Sequence, residues 1–144
     1  MKRIVTRTTL AGAGFLLGVI GSALILAPRD FLETSHVFME NDPGLMSELA
    51  APAGILLITS TLMLTGAIKI RLADPALSIG AIVYGSYGTG RLISMVLHGL
   101  PSDSLVAAMA IELAAAVILA GLRFAGWSRN PRSDAEDDLR GAIV

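Results

Sequence analysis

The chain has 144 residues, 53% of them hydrophobic and 16% charged, with a formal net charge of −1. That balance excludes a nucleic-acid surface built on excess positive charge. The absence of cysteine excludes disulfides, thiolate metal sites and a cysteine nucleophile.

Four apolar runs, separated by short polar breaks, predict an all-α protein of four transmembrane helices. They cover about residues 8–28, 48–68, 75–98 and 103–123. Each is close to the roughly 20 residues that a helix needs to cross the hydrocarbon layer. Four such helices with so little polar sequence would leave a soluble protein without a surface. The expected architecture is an antiparallel up-down bundle over residues 1–127, followed by a polar tail over 128–144.

Met1-Lys2-Arg3 before the first run has the look of a secretion signal, but Ile25-Leu26 gives no small-residue cleavage pattern, so we read an uncleaved first span. Its Gly14, Gly18 and Ser22, four residues apart, form a small-residue stripe for close helix packing. Between spans one and two, Phe31, Leu32, Ser35, Phe38 and Met39 recur at helical spacing. They predict a short amphipathic helix on the outer surface or over the bundle mouth. Asn41-Asp42-Pro43-Gly44 reads as a turn and a helix stop.

Span two opens on Glu48, with Ser47 as its expected cap. Glu48 is a first-turn carboxylate of the kind the helix dipole favours. Ala50 and Gly54 continue the small-residue pattern, as do Gly80, Gly85 and Gly88 in span three and Ala108, Ala116 and Ala120 in span four. "GSYGTG" at 85–90 resembles a phosphate loop but lacks the strand and turn that such a loop needs, and reads as helix packing. Trp127 suits an interfacial aromatic position. The tail beyond it carries an acidic cluster at Asp134, Glu136, Asp137 and Asp138.

Basic residues set the orientation. Lys2, Arg3 and Arg7 precede span one, Lys69 and Arg71 lie between spans two and three, and Arg123, Arg129, Arg132 and Arg140 follow span four. Four crossings put all of these on one side, leaving Arg29 outside and Arg91 within the membrane. Both termini are therefore expected in the cytoplasm, in a bacterial inner membrane.

Arg91 is the residue that needs explaining. It lies nine residues before Leu100, and Glu112 lies ten after Ser102. On two helices joined by that turn, both side chains fall roughly 13 to 15 Å below the outer end. A lone charge at this depth is costly, whereas a carboxylate that takes two hydrogen bonds from the guanidinium fork neutralises it. Tyr84, Tyr87, Arg91, Ser94 and His98 form one helical stripe leading to the outer surface. With Glu48 and Glu112, they give the outer half of the bundle polar groups that the inner half lacks. The expectation is a polar cavity open to the outside, or a buried network closed by the Phe31–Glu40 helix.

Residues 90–122 carry a further signal. Gly90-Arg91, then Ser94, Gly99 and Pro101, then Glu112, resemble an uncharacterised family of small bacterial four-helix membrane proteins, a domain of unknown function. Glu48 in "SELAAPAG" is similar to the start of that family's second helix. An aspartate is common before the Gly-x-Pro turn in the family, and His98 stands there in this chain. The resemblance implies four helices and a central place for Arg91 and Glu112. It implies no activity.

The leading functional expectation is a non-enzymatic accessory or scaffold subunit, stabilised by a buried Arg91–Glu112 pair. Its surroundings are the lipid bilayer, with a larger membrane complex or a homo-oligomer as the open alternatives for a protein partner. The rival is a small-molecule, lipid or ion binding or transport protein that uses the cavity around Arg91. An enzyme comes third, because only Ser94, His98 and the glutamates are candidates for its chemistry. No catalytic residue, metal or cofactor is assigned. Two histidines, His36 and His98, do not have the spacing for a bis-histidine haem.

Overall fold

The computed structural model describes residues 2–40 and 42–127. The acidic cluster of the tail lies outside them. Among the described residues every regular element is helical: α1 (Lys2–Leu26), α2 (Pro28–Glu33), α3 (Pro43–Ile68), α4 (Ala73–His98) and α5 (Asp103–Trp127), with a 3-10 turn at Ile70–Leu72.

Helix α1 contains no proline, and the Thr8 hydroxyl folds back onto the carbonyls of Ile4 and Val5 at 3.0 Å. It ends where Ala27 leaves helical geometry and Pro28 opens α2 at a first-turn position, which costs no hydrogen bond. Helix α2 is shorter than the predicted amphipathic helix and starts earlier. His36 takes a left-handed conformation (φ 59°). Its N–H donates to Glu33 O at 3.0 Å, and that of Val37 donates to Leu32 O at 3.1 Å. This paired closure is the Schellman pattern, with histidine where glycine is usual. Phe31, Leu32 and Ser35 are therefore half-buried, while Phe38, beyond the break, is exposed.

Asp42-Pro43-Gly44 starts a helix rather than stopping one. Asp42 is the N-cap of α3, its Oδ1 accepting from the Gly44 N–H at 2.8 Å, and Pro43 occupies the first turn. Ser47 is therefore a helical residue and not a cap. The predicted Ala50–Gly54 packing face is also corrected, because Ala50 is exposed and a Cβ on Gly54 would meet nothing within 4 Å. At the far end of α3, Arg7 Nη2 donates to Ile68 O at 2.8 Å, satisfying a carbonyl that the helix leaves open.

The helices associate as two close pairs. Along α1 and α3, a Cβ on Gly14 would lie 2.9 Å from Met63 Cβ, one on Gly18 2.8 Å from Ser60 Oγ, and one on Gly21 3.0 Å from Ala53 O. The partner number falls as the glycine number rises, so the two helices run in opposite directions. Gly21, rather than Ser22, continues the stripe. Ser60 Oγ also donates to Gly14 O at 2.7 Å across the seam. Along α4 and α5 the same ordering holds, with Gly80 against Leu119, Gly85 against Ala116 and Gly88 against Leu113.

A core of Leu10, Leu17, Leu56, Met63, Leu77, Tyr84 and Leu119 joins the two pairs. It occupies the end of the molecule that holds the start of α1, the α3–α4 connection and the end of α5. Arg7 on Ile68 and a 3.8 Å contact of Arg123 with Asp74 mark the same end. At the opposite end, Ser102 Oγ, in the α4–α5 turn, donates to Ser35 O after α2 at 2.8 Å. Burial in α4 stops at Gly88, and among the described side chains of α5 only Leu119 is fully enclosed.

Three helices, Arg3–Leu26, Pro43–Ile68 and Asp103–Ala125, are long and apolar enough to cross a membrane. Their outward side chains include Phe15, Ile58, Val117 and Phe124, all well exposed, as contact with lipid requires. Helix α4 is as long as α3, at 26 residues, but its serines, tyrosines, Asp74 and Arg91 make it less apolar.

Candidate functional site: the turn end of the α4–α5 hairpin

Glycines at 85 and 88 let α4 approach α5 closely. The site lies just beyond them. Arg91 Nε donates to Glu112 Oε2 at 3.0 Å and to Oε1 at 3.2 Å. The pair forms, but not as a two-pronged fork. With the two backbones this close, the guanidinium meets the carboxylate at its nearest nitrogen. Neither Nη nitrogen has a protein acceptor among the described residues.

The pair is also less enclosed than the sequence suggests. The Arg91 side chain is 35% exposed and that of Glu112 14%. The physical reason is the shape of the fold. The core that clasps α4 ends at Gly88, one turn short of Arg91, and among the described residues no hydrogen bond or ion pair from α1, α2 or α3 reaches either member.

Arg91, Ser94 and His98 line one cleft of about 290 Å³, together with Met95, the Gly99–Leu100–Pro101 turn and Leu105. None of its lining residues comes from α1, α2 or α3. Gly99 makes the sharp exit from α4 with φ 92°, a conformation that side chains rarely adopt.

The other candidates fall elsewhere. Tyr84 is buried, and its hydroxyl donates to Ala13 O on α1 at 2.7 Å. Tyr87 donates to Pro52 O on α3 at 3.4 Å. Both tyrosines tie the helix pairs together and do not line the cleft. Glu48 is exposed on the second turn of α3, and the structure does not bring it to Arg91. Met95 and Leu105 belong to the cleft although sequence reasoning passed over them. Met95 was findable, one turn after Arg91 on the same face. The Ser102–Ser35 contact links positions 67 apart and has no local signature.

The arrangement defines an all-helical protein with apolar, membrane-compatible helices and an ion pair toward the turn end of a helical hairpin. Residues 5–122 match the family described as Domain of unknown function (DUF4345), and the chain belongs to that family. No curated protein and no solved structure matches it.

Proposed function

We propose that the chain is a four-span antiparallel membrane protein of the bacterial inner membrane, with both termini cytoplasmic, whose outer half binds a ligand in the cleft at Arg91. The basic residues Lys2, Arg3, Arg7, Lys69, Arg71 and Arg123 cluster at one end of the helices, in keeping with a cytoplasmic face there. The binding reading is carried by one observation. Arg91 gives Glu112 only its Nε, which leaves the terminal donors of a partly exposed guanidinium available in a cleft that also presents Ser94 and His98.

The scaffold reading stands second. It is favoured by the outward face of α4, where Ser86, Thr89 and Gly90 are exposed and small enough for another helix to approach.

The two readings separate on purification from native membranes. Native mass spectrometry is expected to show a small lipophilic adduct on wild type. The adduct should be lost from the double variant Arg91→Met/Glu112→Leu, which removes both charges together. Identical adducts on both proteins, or co-purification of a protein partner alone, would contradict the binding reading.

A further inference from the structure

We infer that the cleft receives the head of an uncharged lipophile bearing carbonyl oxygens, which enters sideways from the bilayer. The inference rests on the binding reading above and adds the chemical class of the ligand.

Charge points away from an anion. Arg91 and Glu112 together carry no net charge. Around them the outer segments, 29–48 and 99–103, hold Arg29 as the single cation against Asp30, Glu33, Glu40, Asp42, Glu48 and Asp103. One positive against six negative charges makes that end acidic, and its field disfavours a negatively charged group lodged in the cleft beside it. A cation would be drawn inward, but it would find no carboxylate in the cleft wall. Glu112 is engaged by Arg91, and the cleft is lined by Arg91, Ser94 and His98. These groups bring N–H and O–H donors, with the guanidinium supplying donors only. The complementary partner is a neutral group that accepts hydrogen bonds.

Size and surroundings give the rest. A volume of about 290 Å³ lies at the lower edge of what encloses a whole drug-sized ligand. It holds a head group and leaves a tail outside. Met95, Leu100, Pro101 and Leu105 form the apolar part of the wall. Beside it, Val96, Leu97 and Leu100 are exposed by 79%, 69% and 84%, a surface along which an alkyl tail can lie. Arg91 sits seven residues below His98, roughly 10 Å along the helix. A molecule already dissolved in the bilayer reaches that depth without crossing the acidic outer end.

The test uses the full chain in nanodiscs of phosphatidylcholine with three probes of similar tail length: decylbenzoquinone, dodecyl phosphate and dodecyltrimethylammonium. Binding is followed by native mass spectrometry as a function of probe concentration. Decylbenzoquinone is expected to saturate wild type and to bind at least about tenfold more weakly to Arg91→Met/Glu112→Leu, the loss expected when hydrogen bonds to a charged donor are removed. Leu105→Trp, which fills the cleft without touching the ion pair, should weaken it likewise and serves if the double variant does not fold. Tighter, Arg91-dependent binding of either charged probe would overturn the ligand class while leaving the cleft as a binding site. No Arg91- or Leu105-dependent binding of any probe would overturn both.

Discussion

Arg91→Met is expected to lower stability by about 2 kcal/mol, and adding Glu112→Leu is expected to restore most of that loss. The single change leaves the Glu112 carboxylate, 14% exposed, facing a close apolar helix seam without its donor. An unpaired charge at the centre of a membrane helix costs roughly 2.5–3.5 kcal/mol on insertion scales. Because the pair is only partly enclosed and lies away from the helix centre, the expected cost falls somewhat below that range. Replacing both members by apolar residues of similar volume removes the desolvation cost with the attraction, and such swaps are often neutral. Reversible unfolding in detergent of wild type, both single variants and the double variant measures the coupling directly. If the double variant loses as much as the two singles combined, Arg91 and Glu112 do not act as a unit. The same double variant separates stability from function, since it should fold and yet fail to hold a ligand.

Gly88→Ile is expected to cost about 2–3 kcal/mol, whereas Gly90→Ile should cost less than about 0.5 kcal/mol. A Cβ on Gly88 would lie 2.7 Å from Leu113 Cγ and 3.2 Å from the Leu113 backbone nitrogen, while one on Gly90 would meet nothing within 4 Å. The Leu113 side chain can move, but its backbone cannot move without opening the hairpin. Widening the α4–α5 seam also draws Arg91 away from Glu112, so the Gly88 variant should lose ion-pair coupling as well as packing. Thermal unfolding of the two variants checks the contrast. Equal losses would show that the close approach of Leu113 does not set the cost at Gly88, since replacing glycine by isoleucine improves helix propensity at both positions.

Much of this fold is legible in the residues because a membrane-length helix is a local object. Apolar runs of about the right length indicated where the long helices fall, and equal distances from the Leu100–Ser102 turn brought Arg91 and Glu112 together. What was not legible depends on contacts distant in sequence or on ambiguous local chemistry. Asp42-Pro43 is as good a helix start as it is a turn, and only the capping bond to Gly44 distinguishes them. His36 closing α2 in a left-handed conformation breaks the rule that glycine fills such positions, so the apolar spacing through Phe38 predicted too long a helix. Tyr84 and Tyr87 read as members of the Arg91 stripe, yet their hydroxyls serve carbonyls 71 and 35 positions away. The exposure of Arg91 follows from where the core ends, which no single helix encodes.

Helix α4 is where composition and packing diverge. Its polar side chains make it less apolar than its neighbours, but most of them are satisfied within the protein. Ser78 Oγ donates to Asp74 O at 3.1 Å and Ser86 Oγ to Ile82 O at 2.8 Å. Both tyrosines donate to carbonyls of other helices, and Arg91 is paired. A bilayer penalises polar groups that lack partners, so internal bonding of this kind is what a moderately apolar helix needs in order to cross.

Whether α4 crosses is the point on which the four-span reading turns, and labelling its two ends tests it. Because the chain contains no cysteine, single Arg71→Cys and Asp103→Cys variants can be treated with a membrane-impermeant maleimide on intact cells. The account predicts that Asp103→Cys is labelled from outside and that Arg71→Cys is labelled only after permeabilisation. Labelling of both positions from the same face would contradict it.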